Sequence, residues 1–284
     1  MPNYSHFLHM VDDIGILQFS KQDFPDYQSG YTLDDNARAL IVSLSMGESA
    51  YPYALRFLNC LEQAQRPGGS WSNFYYEGKY FSDFDSEDSI GRALLACSAA
   101  TRCDWPDVAS LARKILINQL PAVKSFTSPR AIAYALLGLC KGEMPCPDKI
   151  RHEMVSLLAA YLTGLYSRTR SRDWMWFENY ITYCNGILPH ALFSVYAFNS
   201  DKKCLKIAHE SLNFLNGILF SQGYLNIVGN QGWYHRNGKL PRFDQQPVDA
   251  ASIAFACWEA YQNLGKREYM ELAHLAHNWY RGRN

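Results

Sequence analysis

Hydrophobic residues recur along this chain with the spacing of amphipathic helices, and short polar breaks separate the helical stretches. Apolar residues at positions i, i+3 and i+4 predict ten helices, arranged as five consecutive pairs. Acidic residues, Ser and Pro mark several of the starts, as is typical of N-caps and first helical turns. The predicted helices span 33–46, 51–65, 87–102, 106–120, 129–141, 147–168, 185–198, 201–219, 247–264 and 266–281.

A short phrase repeats at the first helix of each pair: polar, often acidic residues run into an apolar helix rich in Ala and Leu. Its copies align on Asp34, Asp88, Arg130, Gly186 and Asp249, with steps of 54, 42, 56 and 63 residues. Such periods are typical of repeated helical hairpins. The first helix of each pair is rich in small residues and the second in charged ones, which predicts inner and outer helices. In such a ring the polar N-termini of the inner helices would meet at one mouth.

Composition and charge narrow the class of protein. No linker rich in Pro, Gly or Ser interrupts the 284 residues, so we expect one domain spanning 1–284. The net charge is zero and the charges are scattered, which argues against nucleic acid or an anionic membrane as partner and favours a neutral ligand. The chain shows neither a signal peptide nor a membrane span, and its eight cysteines lack a CxxC pair. The expected location is therefore cytoplasmic, with reduced thiols.

Long aromatic loops separate the predicted pairs. Loops of this length are commonly functional, and Trp and Tyr rings beside carboxylates suit the faces and hydroxyls of sugars. The alternative is that these rings fill the core or cap its rim. The loops begin at Gly68-Gly69 and at Asp173, and a third includes Gly232; they contain Trp71, Trp174, Trp176, Trp233 and His235.

Several phrases carry a resemblance to a known family. They are DDIGI (12–16), GYTLDDNARAL (30–40), SEDSIGRAL (86–94), WFE (176–178), Thr182-Tyr183, Asn185 and FDQQP (243–247). Together they resemble the six-hairpin glycosidase superfamily, and more specifically a bacterial α/α domain found alone or fused to glycosyltransferases. The resemblance implies an all-α (α/α)6 toroid, a carbohydrate ligand and a glycosyltransferase as a candidate partner.

Two features depart from that family. Cys184 stands where the related pattern has an acidic residue, and only five of the six hairpins are recognisable. The ring is therefore completed by residues 1–30, or open, or shortened. Residues 1–30 are alternatively a segment that covers the mouth.

Glycosidic cleavage typically needs one carboxylic acid and a second carboxylate as nucleophile or base. The alternative for acids at helix starts is capping, and one acid of each doublet could cap while the other faces the cavity. An intrahelical bridge can also form from Asp34 to Arg38 or from Asp88 to Arg92. The candidate catalytic residues are Asp34, Asp35, Glu87, Asp88 and Glu178. The candidate substrate-binding residues are Asp12, Asp13, Tyr31, Arg38, Trp71, Arg92, Trp174, Trp176, Tyr183, Asn185, His190, Trp233, His235, Asp244, Gln245, Gln246 and Asp249.

Three functions remain open. Glycoside hydrolysis is preferred; the others are a non-catalytic glycan-binding or scaffolding domain beside a glycosyltransferase, and a sugar epimerase or lyase. Facing acids would favour hydrolysis, a pair of histidines would favour epimerisation, and acids used only as caps would favour binding. The sequence has no HExxH, P-loop or GxGxxG pattern, so neither a metal nor a cofactor is expected.

Overall fold

The computed structural model describes residues 2–66 and 70–283, and within these residues the chain forms eleven α-helices with a few short strands. The all-α prediction is confirmed: ten helices occupy the predicted segments, and one short helix precedes them. The helices are α1 (Ser5–His9), α2 (Leu33–Ser43), α3 (Tyr51–Ala64), α4 (Glu87–Ala100), α5 (Pro106–Gln119), α6 (Pro129–Lys141), α7 (Asp148–Thr169), α8 (Ile187–Asn199), α9 (Lys202–Leu219), α10 (Pro247–Leu264) and α11 (Arg267–Trp279).

The chain divides into two compact units, Met1–Met154 and Val155–Asn284. In the first unit, α2 pairs with α3 and α4 with α5, and α4 lies between α2 and α6. Ala93, Ala96 and Cys97 of α4 are completely buried, because their small side chains allow both neighbouring helices to approach closely.

A small antiparallel sheet adjoins the helices of the first unit. Its strands are β3 (Tyr31–Thr32), β4 (Phe74–Tyr76) and β5 (Lys79–Phe81), preceded in the chain by the β1–β2 hairpin (Ser20–Lys21 and Phe24–Pro25). Strand β3 runs directly into α2, so the sheet is anchored at the start of that helix. The described part of residues 1–30 thus contains α1 and a β-hairpin in place of a sixth helical pair.

In the second unit, α8 pairs with α9 and α10 with α11, and α8 packs against α10. Strands β6 (Tyr180–Ile181) and β7 (Tyr234–His235) join the two loops that precede α8 and α10. Asp201 caps α9 by accepting backbone N–H groups of Lys203 and Cys204 at 2.8 and 3.1 Å. Helix α10 ends at Leu264 and is followed by Gly265, whose φ of 67° lies in the left-handed region typical of helix C-termini.

The structure also bears on the predicted thiols, membrane spans and helix ends. All eight cysteines are free thiols. Within the described ranges, no helix has the length and hydropathy needed to cross a bilayer. Helices α2 and α4 end at Ser43 and Ala100, short of the predicted 46 and 102, because the final residues form turns instead of a further helical turn. Gly68-Gly69, where the first aromatic loop was predicted to begin, lie outside the described residues.

Candidate active site at the helix N-termini

The first acidic doublet is divided between two roles. Thr32 is the N-cap of α2: its Oγ1 accepts the Asp35 backbone N–H at 3.0 Å and lies 2.6 Å from the Asp35 Oδ2. Asp35 also pairs with Arg38 at 2.7 Å. Arg38 therefore bridges to Asp35 and not to Asp34, because the capping geometry holds the Asp35 carboxylate on its side of the helix. Asp34 remains available for a different partner.

The second doublet is divided in the same way. Glu87 accepts the backbone N–H groups of Thr127 and Ser128 at 2.7 and 2.6 Å, so it satisfies amides that immediately precede α6. Asp88 is 8% exposed and accepts a hydrogen bond from the Ser128 hydroxyl. In each doublet one acid stabilises a helix start; the other two, Asp34 and Asp88, are partly buried and buried, respectively.

Asp34 takes part in a polar cluster with Arg92 and Tyr134. The Arg92 Nη1 donates to Asp34 Oδ1 at 2.7 Å, and the two side chains are 10% and 21% exposed. The Arg92 Nε donates to the Tyr134 hydroxyl at 3.1 Å, and the guanidinium lies 5.0 Å from the centre of the Tyr134 ring. The cluster thus joins α2, α4 and α6, and it fixes an anion, a cation and a phenol at their N-terminal ends.

Close packing of α4 on α6 makes this cluster possible. A Cβ added to Gly91 would lie 2.9 Å from both the Cα and the carbonyl oxygen of Ala131, so only glycine fits there. Arg130 is 4% exposed in the first turn of α6, one helical turn before Tyr134. Neither Arg130 nor Tyr134 was among the predicted site residues, although their i, i+4 spacing on an inner helix was an available signal.

The N-terminal segment is held against the start of α2. Asp12 accepts the backbone N–H of Ile14 at 2.9 Å and the Tyr31 hydroxyl, and burial together with the Asp12 carboxylate raises the pKa of Tyr31. Asp13 is fully exposed and lies 3.6 Å from Arg56. The observed bonds of Asp12 and Tyr31 stabilise a turn, which favours a structural role for both.

The second unit has its own pair at the helix starts. Asn185 Nδ2 donates to the Thr182 carbonyl at 2.8 Å and lies 3.4 Å from Asp249 Oδ1. Asn185 and Asp249 are 2% and 3% exposed. A Cβ on Gly186 would come within 2.3 Å of the Ser252 carbonyl oxygen, which shows how closely the starts of α8 and α10 approach.

His190 lies one turn further along α8. Its Nε2 is 3.7 Å from Glu259 Oε2, and Ser194 donates to the other oxygen of Glu259 at 3.1 Å. The His190 ring lies nearly parallel to that of Phe255, with 6.4 Å between the centres. An imidazole beside a carboxylate is a common acid–base arrangement.

Three tryptophans expected to face a ligand are buried instead. Trp71 is 2% exposed and donates to Gln119, Trp174 is 3% exposed and donates to the Glu178 carbonyl at 2.6 Å, and Trp176 is completely buried. Core packing, the alternative interpretation, therefore applies to these rings. Large aromatic side chains gain more from burial than from lining an exposed loop.

The remaining candidates of the second unit lie in its loops. Trp233 packs against Tyr183 with 6.2 Å between ring centres, and His235, on β7, is exposed. Asp244 is exposed and accepts from Gln231 at 3.3 Å. Gln245 accepts the Trp279 indole N–H at 2.8 Å, and Gln246 is the N-cap residue of α10. Among the residues that the structure describes, His, Cys, Asp and Glu side chains form no group of three suited to a metal.

The fold of the chain is similar to that of several solved structures. No family model and no curated sequence matches the chain significantly. A cellobiose 2-epimerase from Bacillus thermoamylovorans has a TM-score of 0.76 at 10% identity, over 98% of this chain and 83% of that chain. A sugar epimerase from a ruminal bacterium has a TM-score of 0.73 at 13% identity, over 96% of this chain and 82% of that chain. An α-mannanase from Bacteroides thetaiotaomicron has a TM-score of 0.57 at 15% identity, over 90% of this chain and 75% of that chain.

These likenesses concern the fold. The chain has the all-α, (α/α)-toroid fold that these solved structures share, as the resemblance of its phrases implied. Because one fold supports several chemistries, the activity must be argued from the side chains.

Proposed function

We propose that this protein is a carbohydrate-active enzyme that hydrolyses a glycosidic bond. The observation that carries the proposal is the division of both acidic doublets. Asp35 and Glu87 stabilise helix starts, whereas Asp34 bonds to the Arg92 side chain and Asp88 to the Ser128 hydroxyl at the N-termini of adjacent inner helices. These side-chain contacts leave Asp34 and Asp88 as the candidates for chemistry.

The proposed roles follow from the partners of each acid. Asp34 faces the Arg92 guanidinium and acts as an anion, either as the nucleophile or as the base that activates water. Asp88, whose Oδ1 accepts a hydrogen bond from the Ser128 hydroxyl, is the candidate proton donor. Glu178, in the second unit, is the third acid to be tested. Arg92 and Tyr134 offer hydrogen bonds to sugar hydroxyls. We retain Asn185, His190 and Asp249 as candidate substrate contacts of the second unit.

Matched substitutions test this assignment. Asp34→Asn, Asp88→Asn and Glu178→Gln are compared with Asp35→Asn and Glu87→Gln, which remove the other acid of each doublet. Reducing-end release is measured on a panel of oligosaccharides and polysaccharides. We expect Asp34→Asn and Asp88→Asn to lower kcat by about 100-fold or more, and the two capping variants to lower it less than about tenfold. Equal losses in both groups would refute the division of roles.

A sugar epimerase, or a lyase, is the second candidate. The His190–Glu259 pair favours it, because an oriented imidazole can remove a proton next to a carbonyl. Incubating sugars with the protein in D2O and recording proton NMR spectra separates the reactions: epimerisation exchanges a carbon-bound proton, a lyase creates an unsaturated product, and hydrolysis does neither. Proton exchange that disappears in His190→Gln would favour epimerisation over hydrolysis.

Glycan binding without catalysis is the third candidate. The resemblance to domains fused to glycosyltransferases supports such a role, with a glycosyltransferase as the proposed partner and the cytoplasm as the expected location. It requires retention on immobilised glycans without turnover, and equal retention by wild type and Asp34→Asn. Turnover that depends on Asp34 would exclude it.

A further inference from the structure

An exposed aromatic surface lies on the sheet that leads into α2. It consists of Phe74, Tyr76, Phe81 and Phe84, and we call it the aromatic platform. Phe81 is 37% exposed and Phe84 60% exposed, while Phe74 and Tyr76 are partly buried. Exposed aromatic side chains grouped in this way are uncommon on a soluble protein without a ligand or partner.

Phe74 is the centre of the platform. Its ring is nearly parallel to that of Tyr76, with an interplanar angle of 14° and 6.4 Å between centres. The rings of Phe81 and Phe84 lie 6.0 and 5.5 Å from it. A Cβ on Gly30 would meet the Phe74 ring at 2.7 Å, so the back of this ring rests on the Gly30 backbone. Phe74 is consequently held in place, and the exposed rings of Phe81 and Phe84 are inclined to it by 45° and 85°.

Strand alternation separates the platform from the core. Phe74 and Tyr76 share one face of β4, whereas Tyr75 points to the other face, where it packs on Tyr80 with 4.8 Å between centres. Tyr75 also packs against the small core of Met10, Leu17 and Tyr31. Tyr75 therefore lies on the core side of β4, whereas Phe74, Tyr76 and Phe81 lie on the opposite face of the sheet.

The platform is connected directly to the candidate acids. Asn73, the residue before β4, accepts the Leu33 N–H at 2.8 Å through its carbonyl and the Asp34 N–H at 3.3 Å through its side chain. Its own N–H donates to Asp85 at 2.7 Å, and Asp85 follows Phe84 immediately. The two ends of the platform are therefore joined to the first turn of α2, which contains Asp34.

We infer that the aromatic platform is an additional sugar-binding site, which stacks a residue of a neutral glycan extending beyond the sugar at Asp34 and Asp88. This inference rests on the proposed function. The flat rings suit the C–H faces of a sugar, and the exposed carboxylates of Asp83 and Asp85 accept hydroxyl hydrogens. A neutral glycan also agrees with the zero net charge of the chain.

Native affinity electrophoresis with mannan, xylan, mixed-linkage β-glucan and starch tests the platform without requiring catalysis. We compare wild type, Phe81→Ala, Phe84→Ala and the control Phe24→Ala, whose ring is 71% exposed in a different sheet. At least one polysaccharide should retard the wild type, and each platform variant should weaken this binding about threefold to tenfold, with Phe24→Ala unchanged. Removal of an exposed ring is compatible with folding, which circular dichroism checks.

Three results would overturn the inference: no retardation by any polysaccharide, no change in the platform variants, or an equal change in Phe24→Ala. Self-association lost on Phe84→Ala in size-exclusion chromatography would also overturn it, since the platform would then bind a second copy. Asp34→Asn separates this inference from the proposed function. Retardation of Asp34→Asn with unchanged turnover refutes the hydrolytic role alone, whereas Asp34-dependent cleavage of short oligosaccharides without retardation refutes the platform alone.

Discussion

The ion pair between Arg92 and Asp34 should be strongly coupled, and a double-mutant cycle can measure it. The pair is 2.7 Å long, and its side chains are only 10% and 21% exposed. Exposed pairs contribute about 0.2–1 kcal/mol, whereas hydrogen bonds to charged groups contribute about 1.5–3 kcal/mol. Because the pair is largely shielded from water, we expect a coupling energy of about 1.5–3 kcal/mol.

The single variants should differ in a defined order. Asp34→Asn keeps an acceptor oxygen for Arg92 and loses the charge, so the free energy of unfolding should fall by about 1–2 kcal/mol. Arg92→Met also removes the bond to Tyr134 and the contact with its ring, which itself contributes about 0.5–2 kcal/mol. Its loss should therefore be larger, about 3–4 kcal/mol.

The assay is urea unfolding followed by circular dichroism for wild type, both single variants and the double variant. The control cycle uses Arg113 and Glu143, a pair of 3.0 Å whose side chains are 43% and 64% exposed. Its coupling should stay below about 1 kcal/mol and decrease further in 1 M NaCl. If Asp34 and Arg92 couple no more strongly than this control, the buried cluster does not stabilise the helix starts in the way we describe.

Two further predictions concern packing and pH. Gly91→Ala should lower the free energy of unfolding by about 1–3 kcal/mol, because its Cβ would meet the Ala131 backbone. The control Gly217→Ala has open space around the new Cβ and should raise the free energy of unfolding by up to about 1 kcal/mol. Equal effects of the two substitutions in urea unfolding would contradict the close approach of α4 and α6. Burial raises the pKa of the Cys60 thiol from 9.0 to about 12, so the unfolded chain releases this proton first and stability should fall as pH rises above 9. Cys60→Ala should reduce the decrease of the free energy of unfolding with pH by up to about 1.4 kcal/mol per pH unit. If this decrease between pH 9 and 11 is unchanged in Cys60→Ala, the thiol does not cause it.

The helices could be predicted from the sequence because their signal is local. Apolar spacing and start residues such as Ser86 and Ser128 are readable within one or two turns, and both residues do cap their helices. The turn chemistry of Glu77 and Gly78, by contrast, was not recognised, so the residues of β4 were assigned to a long aromatic loop and β5 was not predicted.

The roles of the acids were not predictable from the sequence. The backbone N–H groups that donate to Glu87 are 40 and 41 residues away, and the Asp34–Arg92 pair joins residues 58 apart. Tertiary packing decides which acid of a doublet caps and which enters the cluster. The burial of Trp71 was equally hidden, because a loop has no periodicity from which the inward face can be inferred.

The Glu77-Gly78 turn can change in sequence or length without altering the contacts of Asp34. Both residues have positive φ, 46° and 78°, as in a two-residue type I′ turn, and the turn lies at the far end of β4 from Asn73. Insertions or exchanges at this tip would lengthen or redirect the aromatic surface, while the bonds from Asn73 to Leu33 and Asp34 stay in place. If the platform binds a glycan as we propose, the hairpin is a position where glycan preference can be redesigned without rebuilding the helices that hold the candidate acids.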